Sequence, residues 1–353
     1  VSMQNRCLSS LGTSLAGVTH HSCCHTLRLS PPATQTCGGA SVRVNSSTEN
    51  SVTRRTGLLG LGAVLVGDLC LRSAASLAVD QSAKKAIEDE SRRSYARRDF
   101  NQTLELVDEL VREEPEDARY HEMRAAVRVD DKKFSLALED YDKALDSTPG
   151  DALVERARLL AGRALAHEGL SDWQAALDDY DLALSLAARG GQYPDPYVLN
   201  SKGNVLASLG RWKEARQDYL RSAAGFQKAA GFKDRDGSSA SRLDGAIVAS
   251  SNAALALVQL GDEPAAIKEM QKASRRAPGS VDLRAALAGL YWAQGKEAAA
   301  ESEWNFACDR ISVGCSRYTD KDWLARIRRW PPRMVERMEA FLALASSKQL
   351  SVT

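Results

Sequence analysis

The chain has 353 residues, 47 of them basic and 46 acidic, with 44% hydrophobic side chains and only 10 prolines. Charges so nearly balanced exclude a protein that holds nucleic acid by bulk positive charge, and the length suffices for a sizeable core. The balance is uneven along the chain: residues 1–78 carry six basic and two acidic side chains, leaving 41 and 44, a net of −3, from residue 79 onward.

Residues 1–48 contain no Asp or Glu, are rich in Ser and Thr, and carry Arg6, Arg28 and Arg43. That composition, without hydrophobic periodicity, resembles an organelle transit peptide over residues 1–50, and no fold is expected there. Residues 51–78 then present Arg54-Arg55, an apolar run over 57–67 and Ser76-Leu77-Ala78. The run is too short to cross a bilayer, which needs about 20 residues. Arg54, Arg55, Leu58 and Leu59 resemble a twin-arginine export signal, with small residues placed for cleavage after Ala78. A transit peptide followed by such a signal resembles the two-part address of a chloroplast thylakoid-lumen protein. Two other readings of 51–78 stay open: a buried helix, or a retained anchor that tethers the protein to a membrane.

From residue 79 the chain is charged and rich in Ala and Leu, which reads as helix throughout. A beat of large and small side chains recurs: Phe134, Ala137, Tyr141, Ala144 and Pro149; then Trp173, Ala176, Tyr180 and Ala183; then Trp212, Ala215 and Tyr219. Ala266, Met270, Ala273 and Pro278 keep it, as do Ala300, Trp304 and Ala307, while Phe100, Thr103, Val107 and Pro115 form a weaker first member. Gly203, Gly210, Leu287, Ala288, Tyr291 and Gly295 add a second signature one helix earlier. This pattern resembles the tetratricopeptide repeat, a 34-residue pair of antiparallel helices. Each hairpin has two apolar faces and cannot bury both alone, so hairpins stack.

The resemblance implies an all-α, right-handed α-solenoid over residues 79–314, with six repeats near 84–117, 118–151, 157–190, 196–229, 247–280 and 281–314. Between repeats three and four, Asp195 is placed to cap the next helix and Pro196 to open its first turn. The longer insertion before repeat five, centred on 233–241, reads as an exposed loop, with Ser241-Arg242-Leu243-Asp244 resembling a capping box. Residues 315–353 break the pattern and read as C-terminal capping helices. Thr319 is placed to cap one that aligns Trp323, Leu324, Ile327 and Trp330. Pro331-Pro332 interrupt, and Met334, Val335, Met338, Phe341 and Leu342 form the face of another.

Candidate chemistry is sparse. The only histidines from residue 79 onward, His121 and His167, fall at packing positions, and acid pairs such as Asp178-Asp179 read as solvated. No catalytic residue, metal site, cofactor or small-molecule substrate is therefore expected. Cys308 and Cys315 are the one redox feature: in an oxidising compartment a bridge over so short a loop would add roughly 2–3 kcal/mol. Two free thiols, or a catalytic pair that makes this a thiol/disulfide redox protein, are the alternatives.

In the family that the repeats resemble, the first helices line a concave groove that holds peptides or partner segments. Here those helices offer Arg92, Tyr95, Arg119, Glu122, Arg158, Tyr197, Asn200, Asn204 and Trp292 as candidate contacts. Asn204 matches one member of a Lys/Asn set that grips C-terminal carboxylates, but Asn200 stands where the lysine would be, so that mode is not expected. A second candidate surface is Arg326, Arg328, Arg329, Trp330, Arg333 and Arg337, read either as a positive patch for an acidic partner or anionic lipid, or as stems covering the end of the solenoid. The function implied is a non-enzymatic protein-interaction scaffold. Its expected partner, given the address, is a protein segment of a photosynthetic membrane complex.

Overall fold

The computed structural model describes residues 81–229, 239–310 and 315–347. The segments expected to be a transit peptide and an export signal, with Arg54, Arg55 and Ala78, lie outside the described residues, as does the centre of the long insertion. Among the described residues, thirteen long helices fold as six successive hairpins and a cap. They are α1 (81–96), α2 (Phe100–Glu113), α3 (Ala118–Asp130), α4 (Phe134–Ser147), α5 (Leu153–Leu170) and α6 (Trp173–Arg189). There follow α7 (Pro196–Ser208), α8 (Trp212–Ala229), α9 (Ser239–Leu260), α10 (Glu263–Arg276), α11 (Val281–Ala293) and α12 (Glu297–Asn305). Two short turns and a π-helical segment, Trp323–Ile327, lead to α13 (Pro332–Ser347). Each odd-numbered helix from α3 to α11 pairs with the next one, and α1 meets α2 where Thr103 donates to Ser94 and Tyr95 packs on Phe100.

The hairpins close in one way. The first helix of each ends in a residue with left-handed backbone: Arg98, Lys132, Ser171, Gly210, Gly261 and Gly295. The residue after it starts the second helix, and at Asp99, Asp172 and Asp262 its carboxylate accepts a helix N–H. Asp195 caps α7 through the Tyr197 N–H at 2.8 Å, with Pro196 in the first turn. Two local expectations move. α9 already begins at Ser239, so Ser241 lies inside it rather than at its cap. Near the cap, Asp320 rather than Thr319 accepts the Trp323 N–H, at 3.1 Å. The Thr319 hydroxyl bonds back to the Ser316 carbonyl.

The beat of second-helix residues forms the core. Ala137, Tyr141, Ala176, Tyr180, Ala215, Tyr219, Ala266, Met270, Ala300 and Trp304 are all buried, each large one contributing about 1.5–3 kcal/mol. The small residues allow close approach. A Cβ on Gly162 would lie 2.5 Å from the Tyr141 ring, and one on Gly203 2.6 Å from the Tyr219 ring. A charge ladder fixes the register. Arg124, Arg163 and Lys202 each pair with a buried aspartate of their own second helix (Asp140, Asp179, Asp218) and with one on the preceding second helix (Asp108, Asp142, Asp181). Asp179 is thus buried in a bidentate contact with Arg163 rather than solvated. Asp178 beside it stays exposed.

Candidate functional site: the row of first helices

The first helices α1, α3, α5, α7, α9 and α11 form a row, and polar side chains link α1 to α3, α3 to α5, α7 to α9 and α9 to α11. Tyr95 donates to Asp130, Arg158 to Glu122, Asn252 to Asn200 and Ser251 to Asp282. Four candidate contacts are therefore committed within the row: Glu122 and Asn200, both buried, with Tyr95 and Arg158. Asn204, also buried, accepts the Tyr219 hydroxyl at 3.0 Å. Tyr197 stacks edge-on against Phe226 with centroids 4.6 Å apart. Trp292 stacks against Phe341 of α13 at 5.8 Å. Arg92 pairs with Glu88 and Asp89, and Arg119 with Asp117, both arginines about half exposed. The structure thus turns most of the candidate groove set into the joints of the scaffold. Burial outweighs the Arg158 charge and hydrogen bond, and pushes the Glu122 carboxyl above its ordinary range.

The C-terminal segment lies along this row. α13 packs on α11 and α9, burying Met334, Val335, Met338 and Phe341, with Met334 against Gly289. Arg337 pairs with Glu263 at 2.9 Å. The candidate basic patch is accordingly divided. Arg326, paired with Asp322, and Arg333 are exposed, whereas Arg328, Arg329 and Trp330 turn inward. Arg328 donates to both Asp282 oxygens at 2.6 Å and to Asn252 at 3.0 Å. Trp330 Nε1 donates to Asp282 at 3.1 Å, and the Tyr318 hydroxyl donates to the same carboxylate at 3.2 Å. Burial would raise the Asp282 carboxyl, but the Arg328 charge and these hydrogen bonds outweigh it and hold it below its ordinary value. The open-patch reading for an anionic surface therefore retains only two exposed arginines. Arg328, Trp330 and Arg337 instead cover the last two hairpins, the end of the solenoid.

Arg329 reaches furthest. It bonds Glu168 on α5 at 2.8 Å, and its guanidinium lies 4.9 Å from the Trp173 ring centroid. The other Glu168 oxygen accepts the Tyr180 hydroxyl at 2.7 Å. Burial, then the Glu168 charge, push that hydroxyl well above its ordinary value, so it remains a donor. Glu168 and Asp282 are the site residues that sequence reasoning missed. The signal for Glu168 was an acid four residues after Ala164, on the apolar stripe of α5.

His121 is buried, with Nε2 2.7 Å from the Pro115 carbonyl, and His167 is partly buried beside Asp172 and Asp179. Cys308 and Cys315 are paired, Cα atoms 5.2 Å apart, and both pack against the C-terminal core. Among the described residues no cluster of His, Cys, Asp or Glu is placed to hold a metal, and no helix is long and apolar enough to cross a membrane.

The tetratricopeptide repeat family model matches residues 89–152 and 251–305, so the first two and last two hairpins are similar to tetratricopeptide repeats. No curated protein matches its sequence. Among solved structures, the apo form of RapI superposes with a TM-score of 0.53 at 12% identity, over 76% of this chain and 99% of RapI. The anaphase-promoting-complex hetero-tetramer Cut9–Hcn1 gives 0.51 at 14%, over 65% and 40%. A tetratricopeptide repeat protein from Parabacteroides merdae gives 0.48 at 17%, over 75% and 92%. At these identities the likeness to RapI and Cut9–Hcn1 is one of fold.

Proposed function

We propose that this repeat solenoid is a non-enzymatic scaffold that holds an extended polypeptide segment against its row of first helices. One observation carries the reading: that row already holds a peptide, the chain's own Arg328-Arg329-Trp330, through side chains of α5, α9 and α11. The acid-free N-terminal stretch and the twin arginine Arg54-Arg55 support a further step, that the protein works in the chloroplast thylakoid lumen. There the partner would be a lumenal segment of a photosynthetic membrane complex, held during assembly or maintenance. Crosslinking and affinity purification from intact organelles test both steps. The expected result is recovery of such a subunit with the mature chain beginning at Val79. A chain that is found outside the organelle, or that recovers no such subunit, overturns the location or the partner respectively.

The paired cysteines fit this reading as a fastener. They sit beside the last hairpin, packed on the C-terminal core, and join the strap to the repeats.

A further inference from the structure

The C-terminal strap has two kinds of attachment. α13 and Trp330 are built into the apolar core of the last two hairpins, and Arg328 is tied to Asp282 beside them. Arg329 leaves that neighbourhood and contacts α5 and α6, 161 positions away in sequence. To do so it adopts a left-handed backbone, φ 54°, which its side chain opposes.

What it meets there is shaped for a guanidinium. Glu168 is a buried carboxylate, 5% exposed, with one oxygen taken by the Tyr180 hydroxyl and the other by Arg329. Trp173 supplies a flat face on which a planar, delocalised cation stacks, a contact that a compact ammonium makes less well. A buried carboxylate left without its cation is costly, so this pocket is stable only when filled.

We infer that Glu168, Tyr180 and Trp173 form an arginine-recognition site, occupied in cis by Arg329, and that the partner's segment presents an arginine that takes its place. This deepens the scaffold reading by naming the partner's chemistry. Exchange replaces one guanidinium with another, so Glu168 stays paired in both states. Withdrawal of Arg329 relieves its backbone, and it does not require α13 to leave, because Arg328 and Trp330 are anchored separately at Asp282.

The test is a fluorescence-anisotropy titration of the full chain with a labelled peptide copying residues 325–331. Arg329→Gly removes the internal occupant and suits the left-handed backbone. It should bind the peptide at least about tenfold more tightly than wild type, since self-occupancy weakens apparent affinity by the vacant fraction. Adding Glu168→Gln should abolish that gain, and lysine in place of the peptide's last arginine should weaken binding by about tenfold. Should Arg329→Gly fail to fold, Arg329→Gln serves in its place. Equal binding by wild type and the position-329 variant, a gain that survives Glu168→Gln, or no binding at all would overturn the inference. No cellular partner takes part, so its failure would leave the scaffold reading standing, and a failed organelle crosslink would leave this site standing.

Discussion

The first three hairpins and the last three make the same turn with different residues. Arg98, Lys132 and Ser171 hold the left-handed position in the N-terminal half, and Gly210, Gly261 and Gly295 hold it in the C-terminal half. The two ends differ in the same sense. At the N-terminal end α1 carries mostly exposed pairs, Arg92 with Glu88 and Asp89, and Arg93 and Arg97 with Glu90, over a small core of Val107, Leu110, Val111 and Tyr120. At the C-terminal end Trp304, Trp330, Met338 and Phe341 close a large apolar cluster around Asp282 and Arg328. Exposed pairs contribute about 0–1 kcal/mol each, whereas truncating one buried aromatic costs about 3–5 kcal/mol. The C-terminal end is thus the firmer anchor, and the N-terminal end has the weaker contacts, while the N-terminal turns carry backbone strain that the glycine turns avoid.

The sharpest break of this contrast is Asp282→Ala. It removes the shared acceptor of Arg328, Trp330, Tyr318 and Ser251, leaving a buried guanidinium, and should destabilise by about 3–5 kcal/mol. Urea titration measures it. Arg92→Ala at the other end should leave the midpoint nearly unmoved. Acid should narrow the contrast, because two carboxyls are shifted in opposite directions. Asp282 is held below the ordinary aspartate value of 3.8, so its contribution is present above that pH and is lost as pH falls through the depressed folded value. Glu122 is raised above 4.5, so stability at the α3–α5 joint is greatest below 4.5 and declines as pH rises through the raised value. Relative to Asp282→Asn, wild type should lose stability only below pH 3.8. Relative to Glu122→Gln, it should lose stability as pH climbs above 4.5 through the raised folded value. A smaller effect is expected at the bridge, where Cys308→Ser with Cys315→Ser should cost about 2–3 kcal/mol in oxidising buffer and nothing under reductant.

The fold was legible because a helix writes its packing in local spacing. The residues of the beat, from Ala137 and Tyr141 to Trp304, are those the hairpins bury, and Met334, Val335, Met338 and Phe341 face inward together. The candidate site was less legible because its partners are far apart in sequence. Nothing near Arg329 announces Glu168, and nothing near Asn200 announces Asn252. Polar residues such as Asp179 read as solvated because period alone cannot show that Arg163 waits on the neighbouring helix. The basic residues of the tail read equally as an open patch or as stems over the solenoid end, and only the fold shows Arg328 and Arg329 turned inward.

The last prediction tests the turn residues themselves. Gly210 and Lys132 occupy equivalent positions with φ of 75° and 64°. A Cβ on Gly210 would meet no atom within 4 Å, so Gly210→Ala imposes backbone strain alone and should cost about 1–2 kcal/mol. Lys132→Gly removes the same strain but frees the unfolded chain, so its gain should be smaller, about 0.5–1 kcal/mol. Opposite signs at the two positions, read from urea midpoints at constant slope, would establish that the halves differ by stored backbone strain. If Lys132→Gly instead destabilises, the lysine side chain contributes contacts that outweigh its backbone, and the N-terminal turns are not strained relative to the C-terminal ones.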